Sequence, residues 1–223
     1  MAELIPQTAR TPSRADGIEA RQRLLAAGLR LFAQNGFQQT SIREVAQAAQ
    51  VNLASISYYF GDKEGLYRAV FLAPMGDNAK YCHGVADDPS RPLAELLPQF
   101  FTEFLMPLKF GEEMRLVVKL HYREMIEPTG VWQDTIDSEI KPSHEAMIRA
   151  LVRELGLSAV DVDVQRLAVC IISMAVHFFA CQPVVDALAP QLIENDQAID
   201  TLAQRLALYA GAMIEAERKR RQI

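Results

Sequence analysis

Apolar residues recur at helical spacing along almost all of this chain, and no stretch alternates apolar and polar positions long enough to specify a strand. Leu25, Leu29 and Phe32, flanked by Leu24 and Leu31, form a first apolar stripe, and Asn35-Gly36 closes it where glycine can turn left-handed. Ser41-Ile42-Arg43-Glu44 is a capping-box pattern opening a short second helix that carries Val45, Ala46 and Ala49. Gln50-Val51-Asn52 is a tight connection, Asn52 is a good N-cap, and Leu53–Phe60 forms a third short helix. Asp62 caps a fourth, starting near Lys63 and running through Leu66, Val70 and Phe71 until Pro74 bends it. Behind residue 90 the expected helices lengthen, to 92–108, 112–126, 131–155, 159–181 and 196–220. The predicted fold class is therefore all-α, with short helices in front, long ones behind, and a break near residues 72–90.

Two short helices joined by a few residues fit a helix-turn-helix, in which the second helix enters the DNA major groove and the first crosses the backbone. Three consecutive aromatics, Tyr58, Tyr59 and Phe60, cannot all face one core. Ile56 and Phe60, four apart, face inward with Val51, which leaves Tyr58 and Tyr59 pointing away. There they either donate hydroxyls to phosphate or pack at a domain joint, and periodicity alone leaves both readings open.

Charge sharpens this picture a little. The net charge is −5, but residues 1–63 carry seven Lys/Arg against five acids, so the front end is mildly basic on an acidic body. Three cysteines without metal-like spacing suggest reduced thiols. Residues 1–19 lack the apolar core of a signal peptide and read as a flexible arm. The apolar run Leu167–Ala180, broken by Ser173 and His177, is too short to span a bilayer, so a soluble cytoplasmic protein is expected, away from membranes.

In the body, the helix near 112–126 has Arg115, Lys119 and Arg123 on one side and Met114, Val117, Val118, His121 and Met125 on the other. Glu124 falls within the apolar sector, where a carboxylate must be paired or change its protonation. It either pairs with a cation of a neighbouring helix or lines an effector pocket with His121. The helix near 159–181 is apolar all round, and its polar stripe is Cys170, Ser173, His177 and Cys181 beside Met174. This stripe belongs to a pocket wall or to core and dimer packing. Phe104, Trp132 and Phe178 complete the candidate pocket set. No metal spacing, phosphate loop or Ser/Cys–His–acid order appears, so no cofactor or metal is expected. A helical enzyme using His121/Glu124 or His177/Cys181, or a helical protein-interaction module, are the alternatives. The terminal Arg218-Lys219-Arg220-Arg221 reads as favourable charge at a helix C-terminus.

Residues 20–70 resemble the DNA-binding domain of TetR-type transcriptional regulators. The resemblance rests on "LFAQNGF", "TSIREVAQAAQV" and "SISYYFGDKEGLY", and "YREMIEPTGVW" with the "SYYFGDKEGLY" junction is similar to the CecR-like subgroup. It implies an N-terminal three-helix helix-turn-helix domain over 20–70 and a larger helical effector-binding and dimerisation domain over 71–223. The implied partners are an operator in double-stranded DNA, a small-molecule effector and a second copy of the chain, joined through helices near 159–181 and 196–220. Thr40, Ser41, Tyr58, Tyr59 and Lys63 match phosphate-contacting positions, and Arg43, Asn52, Leu53, Ser55 and Ser57 match groove-facing ones. Ala54 and Ser57 stand where the family often has glycine and tyrosine, so base preference is expected to differ.

Overall fold

The computed structural model describes residues 14–72 and 88–222; Pro74 and Cys82 lie outside them. The chain divides into two compact units, Met1–Ala73 and Pro74–Ile223. Among the described residues there is no strand.

The first unit holds α1 (Arg14–Gln39), α2 (Ile42–Ala48), α3 (Ala54–Phe60) and α4 (Lys63–Leu72). Helix α1 starts at Arg14, so residues 14–19, expected as arm, are helical; Asp16 in the first turn suits the positive end of the helix dipole. The fully buried positions of α1 are Leu24, Ala27, Phe32 and Ala33 with Leu29, while Leu25 and Leu31 sit at the flank of the expected stripe. They close on Val45 and Ala46 of α2, Ile56 of α3, and Leu66, Tyr67, Val70 and Phe71 of α4. With so small a core, truncating Phe32 or Phe71 to alanine costs about 3–5 kcal/mol, enough to unfold the unit.

Gly36 breaks α1 at φ 82°, after which three more residues stay helical to Gln39. That break folds Phe37 back onto Tyr67 (ring centroids 5.0 Å) and Phe32 (6.2 Å), closing an aromatic cluster at the end of α1. At the far side of α3, Gly65 is obligatory for a different reason. A Cβ at Gly65 would lie 1.9 Å from the Phe60 carbonyl oxygen, so only glycine lets α4 start directly beneath α3. Asp62 caps that start as expected, its Oδ1 accepting the Gly65 N–H at 2.7 Å.

The second unit runs α5 (Leu93–Leu105), a 3-10 turn (Met106–Phe110), α6 (Gly111–Ile126), α7 (Val131–Thr135), a π turn (Ile136–Ile140), α8 (Lys141–Glu154), α9 (Val162–Ala180), α10 (Gln182–Leu188) and α11 (Asp196–Arg221). The continuous helix expected over 131–155 is broken. Pro142 has no N–H to bond back into the preceding turn, and the chain passes through the wide π turn instead. Helix α9 begins at Val162, three residues later than expected, because Asp161 is its cap, accepting from the Asp163 and Val164 N–H groups. Helix α10, outside the expected helices, has no sequence signature beyond Pro183 at its first turn.

Helix α5 lies along α11, with α8 and α9 packed against them. Leu97, Phe101 and Leu105 of α5, Met147 and Leu151 of α8, Ala168 and Ile171 of α9, and Ala203 and Ala210 of α11 share one core. Small residues on α11 allow the close approach. Helix α9, at 19 residues, is longer than the apolar run Leu167–Ala180 within it, and by length and composition alone it could cross a membrane. Here it is a core helix on one side, with Val164, Leu167, Ala168, Ile171, Ala175 and Phe179 buried. Charged ends tie the helices together. Glu154 accepts the Leu93 N–H at 3.3 Å and pairs with Arg218 at 3.0 Å, and Arg221 bridges Asp161 at 2.7 Å. The basic C-terminus is thus spent on intramolecular pairs.

Candidate nucleic-acid interface and effector site

The turn between α2 and α3 is built from local hydrogen bonds. Ser41 and Glu44 form the expected capping box: Ser41 Oγ accepts the Glu44 N–H at 3.2 Å and Glu44 Oε2 accepts the Ser41 N–H at 2.8 Å. Those bonds hold the Glu44 carboxyl below its usual range. Helix α2 ends with Val51 N–H donating to Ala46 and Gln50 N–H to Gln47, the double bond of a Schellman motif. The left-handed position is filled by Gln50 (φ 55°) rather than glycine. Asn52 then caps α3 from one residue further out than expected, its Oδ1 accepting the Ala54 N–H at 2.9 Å while Leu53 is the helical cap residue.

Helix α3 presents two unlike sides. Ile56 is fully buried, and Ser55, Tyr59 and Phe60 are half-buried. Leu53, Ala54, Ser57 and Tyr58 face outward, Leu53 37% and Tyr58 82% exposed. The aromatic triplet therefore splits three ways. Tyr58 projects freely. The Tyr59 ring stands edge-on to Tyr58 at 4.9 Å, and its hydroxyl is 3.0 Å from where a Gly17 Cβ would be. Phe60 lies under the Arg21 guanidinium, 5.4 Å from ring centre. So Tyr59, expected to point away with Tyr58, turns back against α1.

One more expected DNA contact needs correction, and a second is partly occupied. Thr40 is buried, and its hydroxyl lies 2.8 Å from the Gly36 carbonyl and 3.2 Å from that of Leu31, so it locks the end of α1 instead of reaching outward. Lys63 is partly held: its ammonium sits 4.5 Å over the Phe37 ring and 3.4 Å from the Gln38 carbonyl. Arg43 is exposed on α2, and so is Gln47 one turn on. Ala54, noted from sequence as a departure from the family, belongs to the outward surface, and so does Gln47, which no sequence pattern marks.

The expected effector residues differ in burial and in the partners that already occupy them. Glu124 is fully buried, but its carboxylate is occupied by the Thr129 N–H (2.7 Å), the Thr129 hydroxyl (3.0 Å) and the Gly130 N–H (3.2 Å). It closes the turn into α7. His121, also buried, has Nδ1 2.8 Å from the Val117 carbonyl, so Nδ1 carries a proton, and burial pushes the imidazole pKa down and keeps it neutral. Its ring meets Trp132 edge-on at 5.5 Å. Met125, assigned to the same inner face, is instead half exposed.

On α9, Cys170, Ser173 and His177 are exposed, on the side away from the buried residues of the helix. Met174, Phe178 and Phe104 are half-buried against the core, with Phe104 ring to ring with Phe100 (5.8 Å) and Phe179 (5.9 Å). Cys181 is half-buried at the end of α9. Tyr122, not selected from sequence, faces inward, donates to the Val176 carbonyl at 3.2 Å, and has its phenol pushed up to about 12 by burial.

Comparison with known proteins decides what this two-part architecture is. Residues 24–70 match the family described as bacterial regulatory proteins, tetR family, and residues 93–216 match the C-terminal domain of the HTH-type transcriptional dual regulator CecR. The chain belongs to the TetR family, with a CecR-type body. The dual regulator CecR of Shigella flexneri is 28% identical over 155 residues, covering 65% of this chain and 69% of that protein. The regulator RutR of Escherichia coli (strain K12) is 24% identical over 198 residues, covering 83% and 86%. A crystal structure of a transcriptional regulator from Pseudomonas aeruginosa PAO1 superposes with a TM-score of 0.63 at 16% identity over 89% of this chain and 90% of that one, a likeness of fold. Within the TetR family, the protein is a DNA-binding transcriptional regulator and not an enzyme. The His121/Glu124 pair of the enzyme alternative is also occupied locally, the Glu124 oxygens by the turn and His121 Nδ1 by the helix backbone.

Proposed function

We propose that this TetR-family regulator is a cytoplasmic homodimer that represses transcription from a palindromic operator and is released by a small apolar effector. The observation that carries the reading is the split of α3, with Ile56 buried and Leu53, Ala54, Ser57 and Tyr58 outward. A helix so mounted meets the major groove with its N-terminal residues at the base edges, and Tyr58, one turn on, is free to donate to phosphate. Ser41 and Lys63 add contacts along the backbone, and Arg43 faces the groove.

Dimerisation is supported by the outer sides of α9 and α11, where Val162, Val169, Leu208 and Tyr209 are exposed. Cys170, Ser173 and His177 share that side of α9 and pass from the pocket to the dimer interface. A two-fold pair places two copies of α3 in successive grooves, hence the palindrome. The effector site is assigned to the half-buried apolar residues Phe104, Trp132, Met174 and Phe178 with His121. As Glu124 is committed to its turn, recognition there is mainly apolar, and a cationic group is not required.

A mobility-shift titration with the DNA upstream of the protein's own gene tests this. The expected result is a shifted complex with a palindromic footprint; protection of a single half-site at full affinity contradicts the dimer. Release by apolar compounds in the same assay tests the effector step.

A further inference from the structure

We propose that the recognition helix reads thymine C5-methyl groups through Leu53 and Ala54, an inference that rests on α3 entering the major groove. Discrimination between base pairs comes chiefly from side chains that make two hydrogen bonds to one base edge: Arg or Lys to guanine, Asn or Gln to adenine, Asp or Glu to cytosine. The outward side of α3 offers none of them. Its four residues are Leu53, Ala54, Ser57 and Tyr58, and a lone hydroxyl discriminates poorly among bases.

Asn52, at the entry to the helix, looks like the exception. A bidentate grip on adenine needs Oδ1 to accept from N6 while Nδ2 donates to N7. Here Oδ1 already accepts the Ala54 N–H at 2.9 Å. Releasing it would leave the first turn of α3 uncapped, so Asn52 retains only its donor. Ser55 is half-buried on the inner flank.

What remains at the groove end of α3 is an isobutyl group beside a methyl group. Leu53 is 37% exposed and Ala54 is exposed next to it. The major groove offers one apolar feature that differs between base pairs, the thymine methyl. Docking two aliphatic side chains against it removes apolar surface from water on both partners, which turns an exposed leucine into sequence information. Two-point reading is left to α2, where Arg43 and Gln47 are exposed one turn apart. The half-site therefore carries thymines where α3 enters.

The experiment uses an operator selected from random-sequence duplexes by the full-length protein. Each thymine is then replaced by deoxyuridine, which keeps every hydrogen-bonding group and lacks only the methyl. Burial of one methyl-sized group corresponds to about fourfold in affinity. One or two thymines per half-site should thus show about a fourfold loss each, and about sixteenfold when symmetric positions of both half-sites are changed together. Leu53→Ala, at an exposed position, should weaken binding to the thymine operator and lose sensitivity to uridine at one of these positions. A selected operator that is bound tightly yet indifferent to uridine throughout, or a Leu53→Ala protein with the full uridine penalty, overturns methyl reading while leaving DNA binding intact. Selection that enriches no sequence overturns the DNA-binding assignment itself, and methyl reading with it.

Discussion

The Glu124 carboxylate holds the Thr129 N–H at 2.7 Å and through it closes the turn between α6 and α7. A second bond from the Thr129 hydroxyl and a third from the Gly130 N–H complete the clasp. Glu124→Gln keeps the shape but turns an NH2 group toward donors or leaves weaker neutral bonds. Hydrogen bonds to a charged group contribute roughly 1.5–3 kcal/mol each, so a loss of about 2–4 kcal/mol is expected in the ligand-free protein. Denaturant melting checks it; an unchanged midpoint would return Glu124 to an effector role.

Gly65→Ala should abolish DNA binding while leaving much of the helix content. The added Cβ would stand 1.9 Å from the Phe60 carbonyl oxygen, a backbone atom that cannot swing aside. Helices α3 and α4 must separate, and Tyr58 loses its placement relative to Ser41 and Arg43. Circular dichroism beside a mobility shift distinguishes loss of the junction from loss of the fold; tight operator binding by the variant would refute the junction's role.

Much of this architecture was legible because its signals are local. The capping box at Ser41 and Glu44, the Asp62 cap and the Gly36 break each depend on residues within four positions of one another, and all three are present. The burial of Glu124 followed from helix period. What escaped depends on residues distant in sequence or on competing uses of one group. Thr40 is an ordinary candidate for phosphate until the helix break at Gly36 claims its hydroxyl. Tyr59 looks equivalent to Tyr58 until α1 covers it at Gly17. The stripe Cys170–Ser173–His177 sits on a helix apolar all round, and periodicity says which residues share a side but not which side the core takes.

Gln50→Gly should stabilise the first unit. Gln50 occupies the left-handed position of the Schellman motif at φ 55°, where a side chain costs roughly 1–2 kcal/mol and glycine nothing. Glycine's greater freedom in the unfolded chain offsets about 0.4–1 kcal/mol of that gain. A net rise of roughly 0–1.6 kcal/mol is expected, with operator affinity unchanged or improved. A lower melting midpoint would show that the Gln50 side chain makes an interaction outweighing its strain.

Stability should fall in two separate pH windows. His121 has its pKa lowered from 6.5 by burial, so the unfolded chain takes up a proton that the folded one resists. The folded state is thus penalised as pH drops below about 6.5, and His121→Gln should remove that first decline. Asp161 and Glu217 behave at lower pH. Arg221, with the Val164 N–H, holds Asp161 far below its ordinary 3.8, and Arg220 holds Glu217 at about 2. Their contribution is present above about pH 4.5 and lost below it, as the C-terminal clamp protonates. Melting temperature against pH, wild type beside His121→Gln, should show the upper step only in the wild type. An identical profile for both proteins would mean that His121 does not titrate differently on unfolding.

The salt dependence of operator binding should be shallow. Of the basic residues that look available from sequence, Arg218, Arg220 and Arg221 are paired with Glu154, Asp163 and Asp161 in the second unit, and Arg21 lies over Phe60. Arg43, at the groove, and Lys63, at the start of α4, are the two described cations that the docking of α3 brings to the DNA. Two per protomer make four per dimer, which gives a slope of log K against log salt of about −4. Lys63 deserves the sharper test, because its ammonium already rests on Phe37 and the Gln38 carbonyl. If it reaches phosphate from that seat, Lys63→Gln should flatten the slope by about 2 for the dimer and weaken all sequences alike. If it only pins the end of α1, the variant should lose stability and affinity with the slope unchanged. Titrations at several salt concentrations, with a melting curve for each protein, separate the two; a slope near −10 for the wild type would instead bring residues outside the described helices into the complex.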